Sequence, residues 1–154
     1  AALGGNGMGV VGVIPTGQLP LHIVKVFDSS GSAPSSTIIR GVLQCKKAKA
    51  KVVSMSLGGS GATNFENKIY ELMASKGVLV IAAAGNAGDT STSYPAGYAS
   101  VMSVAAIDVN MAHASFSQVN ADVEIAAPGW QERRMPPPAG PPPVRPPRWP
   151  RGWP

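Results

Sequence analysis

The sequence predicts an α/β fold with a mainly parallel sheet and helices on both faces of that sheet. Strand-like and helix-like runs alternate between residues 21 and 107, which is the order of successive βαβ units. Two strand-like runs, residues 51–55 and 78–83, are almost continuously apolar, as expected for strands that helices cover on both sides. A chain of 154 residues, 44% of them hydrophobic, is long and apolar enough to build one compact core.

The predicted elements follow one another as a strand over 21–27, a helix over 35–48, a strand over 51–57, a helix over 63–75, and strands over 78–84 and 101–107. The second helix has the clearest limits, because Thr63 and Glu66 fit a capping box and Gly77 fits a helix end. Its apolar side chains fall on one face, which we expect to pack on the sheet: Phe65, Ile69, Leu72 and Met73.

The composition changes sharply after Gly129. Residues 130–154 hold 10 of the 15 prolines and all three tryptophans, with almost no aliphatic residues. We therefore predict two parts, a folded one over residues 1–129 and a disordered tail rich in proline and arginine over residues 130–154. The tail has five arginines and one glutamate, which accounts for +4 of the net charge of +5. Because the folded part is nearly neutral, we predict no nucleic-acid partner.

Residue counts and spacing exclude several classes of site. A single cysteine, Cys45, cannot form an internal disulfide, and with only two histidines beside it the chain cannot assemble a zinc cluster of the CxxC type. No apolar run reaches 18 residues, so we predict no membrane association through a spanning helix. Gly7, Gly9 and Gly12 fit a dinucleotide-binding pattern, but the short, proline-containing stretch after Gly12 has no room for the helix that such a site requires.

Small residues follow two neighbouring strands of the predicted sheet. The blocks are SMSLGG at residues 54–59 and AAAGNAG at residues 82–88. Ligands of open parallel sheets bind beyond the carboxyl ends of the strands, where small residues let a substrate backbone come close. Asn86 would be placed there to donate an amide hydrogen bond. The alternative is an ordinary turn, because Asn and Gly both accept positive φ, and spacing alone favours the turn.

Nucleophilic catalysis would need a serine, a histidine and an acid brought together. Neither histidine, His22 or His113, lies in a recognisable catalytic context, and Ser60 fits an ordinary glycine turn.

Taken together, these blocks make the sequence resemble the subtilisin-like serine proteases (subtilases, peptidase family S8). The resemblance covers almost all of residues 1–129, through the ordered blocks GVVGVIP, VKV, VSMSLGG, AAAGN, YPA, ASFS and APG. It implies a subtilisin-like three-layer fold and peptide-bond hydrolysis of polypeptide substrates. By the same match Asn86 corresponds to the oxyanion-hole asparagine. Ser56, Leu57 and Gly58 correspond to the backbone that binds substrate as an added strand, and Ala83, Ala84 and Gly85 to the primary specificity pocket.

The catalytic triad of the family has no counterpart in these residues. Neither a His-Gly-Thr-His block nor a Gly-Thr-Ser-Met-Ala block occurs in the chain. We therefore expect an internal piece of a larger catalytic domain, beginning just after the catalytic histidine and leaving the family pattern at Gly129, before the serine. A shifted reading frame or a wrong gene boundary would explain the composition of residues 130–154. Alone, the chain is expected to hydrolyse no peptide.

The resemblance also implies a structural calcium ion, with Asn6 and the carbonyl groups of Met8 and Val10 as ligands. Members of the family are commonly secreted, so the resemblance implies secretion, and nothing else in the sequence indicates a compartment. The alternative function is a non-catalytic one, either a peptide-binding protein or a proline-rich interaction protein. Residues 143–148 fit an SH3 ligand pattern, but a proline-rich composition produces such patterns by chance, so we do not predict an SH3 partner.

Overall fold

The computed structural model describes residues 12–14, 16 and 18–129. The predicted calcium ligands and the predicted tail lie outside these residues. The described part contains two helices and four strands, in the order α1 (Ser35–Lys47), β1 (Val52–Met55), α2 (Asn64–Ser75), β2 (Leu79–Ala83), β3 (Val101–Ile107) and β4 (Val123–Pro128). None of the described helices is long and apolar enough to cross a bilayer.

The four strands form one sheet, in which all neighbours are parallel and the order is β1-β2-β3-β4. The register aligns Val53 with Val80 and Val80 with Val101, and all three side chains are buried. Because the strands are parallel, their carboxyl ends lie at one edge of the sheet. The predicted α/β class with a parallel sheet is confirmed, and this edge is where the two glycine-rich blocks come together.

Alternate strand residues, rather than continuous runs, form the core. Both helices contribute to one buried cluster with them: Ile39, Val42, Val53, Met55, Tyr70, Met73, Val80, Ala82 and Val101 are among its members. The next residues along the strands point away, so Val52 remains 54% exposed and Leu79 remains 42% exposed. Among residues 18–129 the two helices therefore pack on one face of the sheet.

Helix α2 begins where the capping box predicts. Thr63 is the N-cap and accepts the Glu66 N–H on its hydroxyl at 3.1 Å, which satisfies one free donor of the first turn. The N–H of Thr63 donates to the Tyr98 hydroxyl at 2.8 Å. Gly77 follows the helix at a φ of +69°, the left-handed conformation that favours glycine at a helix end.

The predicted buried face of α2 is wrong for two of its four residues. Phe65 is 64% exposed and Leu72 is 40% exposed, whereas Tyr70 and Met73 are fully buried. The helix turns its Glu66 side inward because the Tyr98 hydroxyl donates to Glu66 Oε2 at 2.9 Å and thereby compensates the burial of a carboxylate. A prediction from hydrophobic residues alone places every glutamate on the solvent side. For α2 it therefore puts the buried face on the wrong side of the helix.

Two strands differ from the sequence prediction. Residues 21–27 were predicted as a strand but belong to none. Their side chains Val24 and Val26 pack instead on α1, where a Cβ at Gly41 would lie only 2.7 Å from Val26 Cγ1. The fourth strand, Val123–Pro128, was not predicted as an element and pairs with β3.

Candidate functional site

A cleft of about 890 Å³ opens at the carboxyl edge of the sheet. Its walls come from the ends of all four strands and from the connection between β3 and β4. Every residue that was predicted to bind substrate or to stabilise an oxyanion lines this one cleft: Ser56, Leu57, Gly58, Ala83, Ala84, Gly85 and Asn86. Residues from two strand ends that are 25 or more positions apart in the sequence are therefore neighbours in space.

The first wall continues from β1. Ser56, Leu57 and Gly58 follow the strand but belong to no strand themselves, so this stretch of backbone stands outside the sheet ladder at the rim of the cleft. Gly59 then anchors it through an antiparallel bridge to Tyr94, with N···O distances of 2.9 and 2.8 Å. An unpaired stretch of backbone can receive a peptide as an additional strand.

Gly58 is required at its position by a close neighbour. A Cβ on this residue would lie 2.3 Å from Ser93 Oγ, a distance that no real contact allows. Ser93 is itself buried and lines the cleft, so it sets the depth of the space behind the first wall. Sequence reasoning missed Ser93, because a single serine between Thr92 and Tyr94 carries no pattern of its own.

The second wall continues from β2. Ala84 is buried, and its N–H donates to the carbonyl of Val104 at 2.9 Å. Gly85 has a φ of +120° and packs against the amide of Gln118, where a Cβ would come within 2.0 Å of Oε1. The small side chains at 83–85 keep this side of the cleft wide, and no larger residue fits at position 85 without moving Gln118.

Asn86 stands at the rim, directly after the second wall. The residue is exposed, and its side-chain amide makes no hydrogen bond to any residue of the described part. The backbone on both sides is fixed, since Ala87 N–H donates to Gln118 Oε1 at 3.2 Å and Gly88 N–H donates to the carbonyl of Phe116 at 2.7 Å. A free amide donor on a fixed backbone is the arrangement that oxyanion stabilisation requires.

The described lining of the cleft contains serines but no His, Asp or Glu, so it provides no base to activate a nucleophile. His113 lies elsewhere and pairs through Nε2 with the carbonyl oxygen of Ser117 at 2.9 Å. His22 is exposed outside any helix or strand. The cleft, as far as residues 18–129 define it, offers substrate-binding backbone and one amide donor.

No group of three or more His, Cys, Asp or Glu side chains converges as a metal site in the described residues. Asn6, Met8 and Val10, which the resemblance implies as calcium ligands, lie outside them, so that site stays a prediction. The Glu124 carboxylate accepts the N–H of Ser103.

Comparison with known proteins adds a family to this geometry. The profile of the Subtilase family, Peptidase_S8, matches residues 1–142. Subtilisin DY of Bacillus licheniformis is 43% identical over 129 residues, which cover 80% of this chain and 46% of that protein. Subtilisin Savinase of Lederbergia lenta is 42% identical over 124 residues, which cover 80% of this chain and 45% of that protein. This chain thus spans less than half the length of either relative.

Solved structures agree. The psychrophilic subtilisin-like protease Apa1 from the Antarctic bacterium Pseudoalteromonas sp. AS-11 superposes with a TM-score of 0.78 at 52% sequence identity, covering 83% of this chain and 29% of that one. The fold, the ordered sequence blocks and the cleft all lead to the same assignment. The chain belongs to the subtilase family of subtilisin-like serine endopeptidases.

Proposed function

We propose that this chain forms the substrate-binding part of a subtilisin-like catalytic domain that hydrolyses peptide bonds in polypeptides. The observation that carries the proposal is the convergence of seven residues from two strand ends on one cleft, with Asn86 at its rim. The serine nucleophile and the histidine base belong to parts of the domain that these 154 residues do not include.

In this mechanism the substrate backbone binds beside Ser56, Leu57 and Gly58 as an added strand. The side chain that precedes the scissile bond enters the space bounded by Ala83–Gly85 and backed by Ser93. When serine attacks the carbonyl carbon, negative charge develops on the carbonyl oxygen, and the Asn86 side-chain amide donates a hydrogen bond to that oxygen. Because the charge exists only near the transition state, the amide acts on kcat more than on substrate binding.

The proposal extends to the properties that the family implies for the whole protein. The domain is secreted, and Asn6 with the carbonyl groups of Met8 and Val10 would hold a structural calcium ion. Carbonyl and amide oxygens are the hard ligands that calcium prefers. Residues 130–154 are proposed as a tail on their change of composition alone, since the family profile extends to residue 142. These three points rest on the resemblance and the composition of the sequence.

A hybrid protease tests the function. Residues 12–129 replace the matching segment of Apa1, the protease with 52% identity to this chain, so that Apa1 provides the missing triad. We expect the purified hybrid to hydrolyse a fluorogenic peptide and to be blocked by a serine-directed phosphonate, while the chain of 154 residues alone shows no turnover above background. A hybrid that folds but hydrolyses nothing, or turnover by the chain alone, would contradict the proposal.

A second pair of variants tests the first wall. In the hybrid, Gly58→Ala places a Cβ against Ser93 Oγ and displaces the substrate-binding backbone, so we expect KM to rise several-fold. Adding Ser93→Ala removes that oxygen and leaves no other neighbour closer than 3.6 Å, so the double variant should recover most of the lost binding. A Gly58→Ala variant with unchanged KM would show that this backbone does not hold the substrate.

A further inference from the structure

The geometry points to Gln118 as the positioning residue of the oxyanion asparagine, a role that rests on the proposed function of Asn86. Gln118 lies in the connection between β3 and β4 and is only 5% exposed. A buried primary amide requires hydrogen-bond partners, because an unsatisfied one is costly. All the partners that its side chain has in the described residues belong to the loop that carries Asn86.

The contacts of Gln118 bracket Asn86 on both sides. Its backbone N–H donates to the carbonyl of Gly85 at 3.4 Å, and its Oε1 accepts the N–H of Ala87 at 3.2 Å. Its Nε2 donates to the hydroxyl of Ser91 at 3.4 Å, farther along the same loop. The backbone of Gln118 therefore binds the residue before Asn86, and its side chain binds the residue after Asn86 and Ser91 farther along the loop.

Packing reinforces these hydrogen bonds. Gln118 occupies the space where a Cβ of Gly85 would be, with Oε1, Cδ and Nε2 all within 2.4 Å of that position. The glycine and the glutamine thus fit each other, and the φ of +120° at Gly85 directs the chain into the turn that exposes Asn86. Because the Asn86 side chain has no hydrogen bond to the described residues that would hold it, its direction depends on this backbone.

The sequence contains no signal that would give Gln118 this role. It follows the family block ASFS in a connection between strands, where a polar side chain is ordinarily expected to face solvent. Only the structure shows that the side chain points inward, across the sheet edge, to a loop 31 residues away.

Two variants, each of which removes one hydrogen-bonding group from a buried side chain, test the inference in the chain itself. Gln118→Met keeps the length and volume of the side chain but removes the acceptor of the Ala87 N–H. Tyr98→Phe removes an equally buried hydroxyl, which donates to Glu66 and lies away from the cleft. Amide hydrogen exchange should speed up about 10-fold or more at Ala87 in Gln118→Met and stay unchanged there in Tyr98→Phe. Unchanged exchange at Ala87 in Gln118→Met, or an Ala87 amide unprotected in the parent chain, would overturn the inference.

A double-mutant cycle in the hybrid protease tests the catalytic consequence. A displaced Asn86 amide misses the transition state, so Gln118→Met should lower kcat by about 10 to 100-fold with KM nearly unchanged. In an Asn86→Ala background the same substitution should cost almost nothing, because the group that it positions is gone. Equal losses in both backgrounds would make Gln118 merely structural and overturn the inference. If Asn86→Ala itself left kcat intact, the proposed function would fail instead, and the exchange result would still decide whether Gln118 orders the loop.

Discussion

Gly85→Ala should be among the most damaging small substitutions in the cleft. The residue combines two conditions that a methyl group cannot meet, a φ of +120° and a Cβ position 2.0 Å from Gln118 Oε1. To make room, the Gln118 amide must leave its place and release the N–H of Ala87, which it accepts at 3.2 Å in the parent chain. The substitution therefore disturbs backbone conformation, packing and hydrogen bonding at once.

The expected loss of stability has two contributions, the strained backbone conformation and the lost hydrogen bond. A non-glycine residue held at such a φ costs about 1–3 kcal/mol. The buried Gln118 amide, which loses its hydrogen bond to Ala87, costs about 1–3 kcal/mol more. We expect the free energy of unfolding to fall by about 2–6 kcal/mol, a large part of the stability of a small domain.

Urea unfolding of alanine variants at three glycines separates the conformational contribution from the contribution of packing and hydrogen bonding. Gly61→Ala meets open space at an ordinary φ and should change the free energy of unfolding by no more than about 0.5 kcal/mol. Gly77→Ala meets open space at a φ of +69° and should cost about 1–2 kcal/mol, the conformational part alone. If Gly85→Ala costs no more than Gly77→Ala, the Gln118 amide is not packed where the structure places it, and the reasoning fails.

Three more results are expected from the same unfolding assay. Tyr98→Phe leaves the Thr63 N–H without its side-chain acceptor and removes one of the two hydroxyl donors to the buried Glu66 carboxylate, so it should cost about 1–3 kcal/mol. Met73→Ala, at a fully buried position, should cost about 2–5 kcal/mol, whereas Leu72→Ala, at a position 40% exposed, should cost clearly less; similar costs would show that α2 is rotated. Burial raises the pKa of the Tyr98 hydroxyl above 10.0, so the folded state holds this proton more tightly than the unfolded state does. Stability should therefore be insensitive to this group below about pH 10 and fall as pH rises further. The fall should be smaller in Tyr98→Phe, where the Tyr70 hydroxyl, whose pKa burial also raises, remains.

Sequence patterns predicted those features of the fold that depend on residues close together in the sequence. The start of α2 was readable from Thr63 and Glu66, since the cap depends on residues three positions apart. The buried face of that helix was not readable, because Glu66 is drawn inward by Tyr98, 32 positions away in the sequence. Burial of a carboxylate depends on a tertiary partner, which no local pattern contains.

The same distinction separates the two halves of the site. Asn86 and its neighbours could be named from the family blocks, and parallel strand order brought both blocks to one edge. Ser93 and Gln118 could not, because their roles depend on close approach to Gly58 and Gly85. A sequence shows that a glycine is present, but the atom that excludes a larger residue is known only from the fold.

The most direct test of the account is the steady-state kinetics of Asn86→Ala in the hybrid protease. The known magnitude for this position in subtilisin, a loss of roughly 100 to 1000-fold in turnover, sets the scale. We expect a loss of that order in kcat, a nearly unchanged KM and an unchanged unfolding midpoint, while Asn110→Ala, an exposed asparagine outside the cleft, leaves all three values as they were. An intact kcat in Asn86→Ala, or a loss explained by unfolding of the domain, would show that Asn86 is a turn residue and would contradict the central claim.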